Sequence, residues 1–192
     1  MRLLPYAFVM AASLFAAPAF AADTYVIDPG HTQVQFSVSR FGFTQVSGDF
    51  PDVVGEFTLD MAAPAQSSVH ATLQIAGVDS NNPARDKVLL APPWFDAAQY
   101  LSMTFVSTKV EPTSDTTADV IGDLTLHGVT KPVVLKVKLN KIGSYVVTNG
   151  TAAGFSADAT LKRSDFGMTT APQFIGDDIV IHIEVLGLPK AK

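Results

Sequence analysis

The chain has no cysteine among its 192 residues. Disulfides, thiolate nucleophiles and cysteine metal sites are therefore excluded. Charge is sparse at 16 % of residues and tilts acidic, to a formal −5. No basic stripe is present, so nucleic acid is not an expected partner. Tryptophan occurs once, at Trp94. The four histidines, His31, His70, His127 and His182, lie far apart, and no HxH or HExxH pattern occurs. GxSxG, P-loop and GxGxxG motifs are also missing, as is a convincing Ser-His-Asp grouping. These absences leave no catalytic and no metal-ligating residue to nominate. Past residue 21 no apolar run is long enough to span a bilayer.

The first residues form a unit of their own. Met1-Arg2 gives a positive start, Leu3 to Leu14 an apolar run, and Ala19-Phe20-Ala21 a small-x-small cleavage site. Residues 1–21 are predicted to be a secretory signal peptide, cut after Ala21 rather than kept as an anchor. Loss of Arg2 takes the net charge from −5 to −6. The Ala-rich signal has a bacterial character, which places the mature protein in the periplasm. Residues 22–192 suit one domain.

Period-two alternation dominates that domain. Val34, Phe36 and Val38 oppose Gln33, Gln35, Ser37 and Ser39. Val69, Ala71, Leu73 and Ile75 mark a strand reaching Val78. Val133, Leu135, Val137 and Leu139 oppose Lys136 and Lys138, and Phe155, Ala157, Ala159 and Leu161 oppose Ser156, Asp158 and Thr160. Such alternation predicts half-buried strands. Tyr25–Ile27, Val46–Phe50, Val54–Asp60, Met103–Val110, Ala118–Leu126 and Ile179–Leu186 complete eight to ten. The Ala118–Leu126 and Val133–Ile142 strands are expected to join through His127 to Pro132. Asn149-Gly150 reads as a hairpin turn, although Asn149-Gly150-Thr151 also fits a glycosylation sequon. Successive strands without helical crossovers pair antiparallel, and a sheet this large forms a sandwich or closes into a barrel. Periodicity alone leaves both open. Small residues on inner faces (Ala71, Gly122, Ala157, Ala159) favour an open lumen.

One stretch breaks the alternation. Asn81 to Met103 has Pro83 at its start, the charged turn Arg85-Asp86-Lys87, a Pro92-Pro93 stop, then Trp94-Phe95. This is helix punctuation, and a short helical segment is predicted near residues 84–100. A lone helical segment with an aromatic lip is expected at the mouth of a barrel. Trp94 and Phe95 either cap one end or touch a ligand. Arg85-Asp86 is either a helix-start charge pair or, through Arg85, a partner for an anionic head group. Arg163-Ser164-Asp165 is expected to brace a loop by an internal ion pair. His127 is expected to bond the backbone.

Several segments together resemble the YceI-like family of bacterial periplasmic polyisoprenoid-binding proteins. They are Tyr25–Asp28 with His31-Thr32, Val46–Phe50 with Gly55–Phe57, Arg85-Asp86 leading to Trp94–Asp96, Met103–Phe105, Gly122–Val133, and Arg163–Met168. The resemblance covers nearly the whole mature chain. It implies an all-β, antiparallel, lipocalin-like barrel of about eight strands. The lumen would hold a long isoprenoid or similar amphiphile, a polyprenyl lipid or an isoprenoid quinone, and no other cofactor. Under that reading the ligand-contacting candidates are Phe36, Phe41, Phe43, Phe57, Arg85, Asp86, Leu89, Trp94, Phe95, Phe105, Phe155 and Phe166. A homodimer and an inner-membrane partner of unknown identity are further expectations from the resemblance. Arg40 and Val88 stand where the family often has histidine, and Leu101 where it usually has proline. These departures point to a different head group.

Burial of apolar carbon is worth roughly 0.8 kcal/mol per CH₂, and association costs about 4–15 kcal/mol before any gain appears. A single five-carbon unit, at roughly 4 kcal/mol, hardly offsets that cost, so a lumen binder favours a long tail. A barrel of about eight strands is wide enough for one slim ligand. Three functional classes follow. A carrier needs a deep apolar cavity. An enzyme acting on such a lipid, through His31, Asp28 or Arg85, needs a perturbed titrating group in the cavity. An envelope-stress or electron-transfer accessory protein working through its surface needs a filled lumen and a large exposed apolar patch.

Overall fold

The structure is a computed structural model describing residues 22–191, so the expected signal peptide lies outside the described residues. Ten strands follow in chain order. They are β1 (Asp23–Ile27), β2 (Gln33–Arg40), β3 (Thr44–Phe50), β4 (Val53–Leu59), β5 (Ser68–Gln74), β6 (Ser102–Pro112), β7 (Thr117–Leu126), β8 (Val129–Tyr145), β9 (Gly150–Lys162) and β10 (Ile175–Pro189). The helix α1 (Pro83–Leu89) interrupts the run between β5 and β6. All pairings are antiparallel.

Ten strands make an eight-strand barrel because two are broken in the middle. β1 and β2 lie end to end along β10, which pairs with β2 through Glu184 and with β1 from Gly187. At the break, Leu186 holds both halves. Its carbonyl accepts from the Asp28 N–H at 2.8 Å, and its own N–H donates to Thr32 Oγ1 at 3.2 Å. The Asp28 carboxylate accepts from the Gly30 N–H at 3.1 Å and meets His31 Nδ1 at 2.8 Å, fixing the turn Pro29–His31. β3 and β4 are the halves of the next strand, parted at Pro51-Asp52. β3 pairs with β2, and β4 with β1 and β5. The circuit closes where Tyr25, Val26 and Ile27 meet Pro189, Leu188 and Gly187. Closure leaves few free edges, and it resolves the sandwich-or-barrel alternative.

Three local expectations change. The strand from Val69 stops at Gln74, because Ile75–Gly77 tightens into a 3₁₀ turn whose Ile75 N–H donates to the Leu101 carbonyl at 3.0 Å. The β7–β8 connection is two residues, not six. His127 and Gly128 both take positive φ, 52° and 73°, as a tight hairpin requires. Pro132 therefore sits inside β8, opposite Asp123. It is tolerated because β8 pairs with β9 only from Lys136 onward, leaving an edge at Pro132. Gly122 faces inward but adds no free space. A Cβ there would lie 2.4 Å from the Phe105 ring, so the ring occupies the room that glycine leaves.

The segment between β5 and β6 fills the gap beside β3. Asp79 bridges to Asp49 by backbone bonds of 2.8 and 3.0 Å. The Asn82 side chain caps α1, accepting from the Arg85 N–H at 3.1 Å, with Pro83 preset at the first turn.

Candidate ligand-binding site

Alternation along the strands sends one face inward, and the inward side chains pack against one another only in part. A cavity of about 270 Å³ runs inside the barrel, lined by Val53, Phe57, Leu73, Phe105, Val120, Val133, Leu135, Val137, Phe155, Ala157, Ala159, Ile183 and others. A second, of about 110 Å³, lies under α1 and is lined by Phe36, Phe50, Leu89, Trp94, Phe95, Arg163, Phe166 and Met168 among others. Val34, Met103, Leu124, Leu161 and Ile181 line both, so the two are successive stretches of one lumen. Their inner walls are aliphatic and aromatic. Leu135, Val137, Leu139, Phe155 and Ile181 point inward yet remain half-buried rather than buried, as expected where an inner wall faces open space. Tyr25 stacks on Phe57 at 5.1 Å, and Phe57 meets Phe155 edge-on at 5.4 Å, so the wall beside the larger cavity is an aromatic ladder.

The ends differ. The small cavity is lined only by buried or half-buried residues, and the segment bearing Leu89, Trp94 and Phe95 covers it. The large cavity reaches exposed residues at the opposite end: Met61, Pro64 and Ser68 around the β4–β5 loop, and Ser114, Asp115 and Thr116 at the β6–β7 turn. The helical segment is thus a floor, and the mouth lies at the other rim. Asp115, on that rim, is the one charged residue lining the large cavity among the described residues.

The nominated residues divide into three groups. Phe57, Phe105 and Phe155 line the large cavity, and Phe36, Leu89, Trp94, Phe95 and Phe166 the small one. Phe41 and Phe43 line neither. They project at the β2–β3 turn, where Phe43 is 90 % exposed and Phe41 packs on Phe174 at 4.9 Å. Arg85 and Asp86 also line neither. Both clamp Ser80: Arg85 Nε donates to Ser80 Oγ at 2.8 Å and Nη2 to the Ser80 carbonyl at 2.6 Å, while Asp86 accepts from the Ser80 N–H at 2.9 Å and from its hydroxyl. The departures are equally remote from the lumen. Arg40 lies over the Phe41 ring, Val88 and Leu101 are exposed, and none of the three lines either cavity.

Arg163 corrects another expectation. It is 4 % exposed and makes no ion pair with Asp165. Its guanidinium donates to three backbone carbonyls, of Gly176 at 2.9 Å, of Ile175 at 3.0 Å and of Met168, and lies 5.6 Å from the Trp94 ring centre. This ties the β9–β10 loop beneath the floor. Ser164 turns instead to Asp177, which accepts from its N–H at 3.0 Å and its hydroxyl at 2.8 Å. Those bonds hold the Asp177 carboxyl below its ordinary range. His127 meets the backbone as expected, its Nδ1 lying 3.0 Å from the Phe166 carbonyl oxygen.

On the outer wall, His182 sits between Asp158 at 2.7 Å and Glu184 at 3.1 Å. The Asp158 hydrogen bond raises its pKa, with Glu184 adding to the effect against partial desolvation. Burial raises Tyr25, helped by Asp23, and Asp178 raises Lys162. None of these shifted groups lines either cavity. Sequence reasoning nominated aromatics and charges and omitted the aliphatic wall of β8 and β10. Its signal was the Val133–Leu139 alternation, which carries no label of what the face looks upon.

An antiparallel barrel of eight strands with an apolar lumen, floored by a short helical segment, defines the lipocalin-like class. Within it, the chain belongs to the YceI-like domain family, whose model matches residues 25–186. It is 43 % identical over 159 residues to a UPF0312 protein of Pseudomonas savastanoi pv. phaseolicola, covering 82 % of each chain. It is similar in fold to Burkholderia cenocepacia BcnA, with a TM-score of 0.77 and 23 % identity over 84 % of this chain and 99 % of that one. A polyisoprenoid-binding domain from Saccharophagus degradans, implicated in plant cell wall breakdown, superposes with a TM-score of 0.68 and 13 % identity, covering 86 % and 98 %.

Proposed function

We propose that this protein is an exported, periplasmic carrier that holds the tail of a long isoprenoid-type amphiphile, a polyprenyl lipid or an isoprenoid quinone, in its lumen. It acts as a binder rather than a catalyst. The observation that carries this reading is the lumen itself. It is apolar from the Trp94 floor to the Met61 rim, its charged lining groups being the rim carboxylate Asp115 and Arg163, whose guanidinium is already engaged by backbone carbonyls. A tail would thread inward past Phe155 and Phe105, leaving its head group at the mouth among Ser114, Asp115 and Thr116. Each methylene sheathed there contributes up to roughly 0.8 kcal/mol. The likeness to the Saccharophagus degradans polyisoprenoid-binding domain supports the same ligand class.

The test is native mass spectrometry of protein purified from its own envelope without detergent, followed by solvent extraction. The expected result is a bound isoprenoid mass that is lost on denaturation. Protein that is consistently empty, and stays empty when offered quinones and polyprenyl phosphates, would sink the reading. The same spectrum tests the expected homodimer.

A further inference from the structure

The distal part of the β8–β9 hairpin is unexplained by the barrel. β7 begins at Thr117, and its last partner on β8 is Lys138. β9 keeps β10 as a partner only as far as Ala153. Beyond those points Gly143 to Tyr145 pair solely with Gly150 to Ala152, as a short two-stranded ribbon that carries the hairpin past the last β10 partner; Ala152 and Ala153 at its base are buried. Leu139 is tied to the β6–β7 turn by its N–H to the Thr116 carbonyl at 2.8 Å, and at about 3.3 Å per residue the free part from Ile142 to Tyr145 extends about 10 Å beyond the last β9–β10 pair. It carries Val146 and Val147, 82 % and 73 % exposed, at its tip. No core contact accounts for two exposed valines on a ribbon that is marginally stable by itself.

The charge around it is sorted. Between Asp123 and Asp158 the chain has four lysines and no carboxylate, in a protein of net charge −5. Lys136 is paired with Asp119. Lys138 and Lys141, both exposed and nearest the tip, have no ion-pair partner among the described residues. Across the sheet, Asp158 is engaged by His182, and Glu184 by Ser156 and Asn140. The β6–β7 turn at the base of the ribbon carries Asp115. An anionic surface would attract the ribbon's lysines and repel the Asp115 carboxylate at its base, so the valine tip leads and the rim stands back.

We propose that the β8–β9 ribbon is a docking prong for the surface of an anionic phospholipid bilayer. Val146 and Val147 enter the interface while Lys138 and Lys141 reach lipid phosphates from behind. The ribbon rises from the rim of the lumen, so docking sets the open mouth against the bilayer from which an amphiphile is taken or to which it is returned. This rests on the carrier reading for its purpose but not for its measurement.

Because the chain has no cysteine, V147C and F43C can each carry a single environment-sensitive fluorophore. They are mixed with vesicles of one part phosphatidylglycerol to two parts phosphatidylcholine, and with phosphatidylcholine alone. The expected result is a blue shift at position 147 with anionic vesicles only, and none at position 43, on the floor end. K138Q/K141Q should weaken partitioning about thirtyfold, at roughly fivefold per lysine, and V146D/V147D at least about tenfold by removing the inserted tip. Three results would overturn the proposal: a shift at 43 without one at 147, undiminished partitioning of K138Q/K141Q, or a vesicle-independent shift at 147 with a doubled mass, which would mean a second copy covers the ribbon. The lumen-filling A157F should still dock. Docking without any extractable lipid would leave the prong standing and remove the carrier reading, and lipid without docking the reverse.

Discussion

Replacing Arg163 by methionine keeps the length of the side chain and removes every donor. The carbonyls of Met168, Ile175 and Gly176 then lose their partners together. Hydrogen bonds to a charged group contribute about 1.5–3 kcal/mol each, and a buried acceptor left unpaired carries its own desolvation cost. The loop from residue 163 to 176 lies at the surface and can admit water, so the full sum is not lost. Discounted for that access, the loss of three such bonds should cost R163M about 3–5 kcal/mol. At roughly 2–4 °C per kcal/mol for a chain of this size, its melting temperature should drop by about 10 °C in a circular-dichroism scan. R163K retains the charge but cannot fan three donors in one plane, and should fall in between. D165N should stay within about 1 °C, since Asp165 takes no part in the contact. A melt of R163M close to wild type, or a D165N variant as unstable as R163M, would refute the reasoning. The second result would restore the ion pair that the sequence invites.

Three further outcomes are expected. G122A places a methyl 2.4 Å from the Phe105 ring and 2.6 Å from the Val106 carbonyl oxygen, so its urea midpoint should fall by an amount equivalent to about 1–3 kcal/mol. A157F, on the wall of the large cavity, should retain the circular-dichroism spectrum but lose co-purified lipid in the native mass spectrum. His182 has a pKa raised above its ordinary 6.5, so its contribution is fully present below about pH 6.5 and is lost as pH rises through the raised value. With its side chain 43 % exposed, that contribution is screened to below about 1 kcal/mol. Urea midpoints at pH 5 and pH 8 should therefore lie closer together in H182Q than in wild type, and an equal spread would exclude His182 as the source.

The strands were legible because alternation is a local property, readable within Gln33–Ser39 of β2, Val133–Leu139 of β8 and Phe155–Leu161 of β9. Closure was implied by the family resemblance and not by periodicity, since it depends on Tyr25–Ile27 meeting Gly187–Pro189, and no periodicity connects positions so far apart. The partners of Arg163 were hidden for another reason. Every residue offers a carbonyl, whereas the nearby Asp165 is conspicuous, so the sequence directs attention to the wrong acceptor. Pro132 misled in the same way. It reads as the end of a strand unless the missing β9 partner at that point is known. The helical segment stood out as an interruption, but the end of the barrel that opens depends on what the β4–β5 and β6–β7 loops leave uncovered. Gly122 reads as empty space in one dimension and holds a phenyl ring in three.

The seam between the first and last strands has a consequence for how the binding site comes into being. Loop-closure entropy makes the joining of distant segments a slow and late event. Until β10 is in place, β1, β2 and β9 each lack a neighbour, and the lumen is a trough open along its side. A chain cut short of β10 therefore has no partial affinity for a ligand to detect. On the carrier reading, ligand uptake would report on completion of the whole barrel, and a ligand present as the seam closes would stabilise the finished circuit over every shorter arc of it.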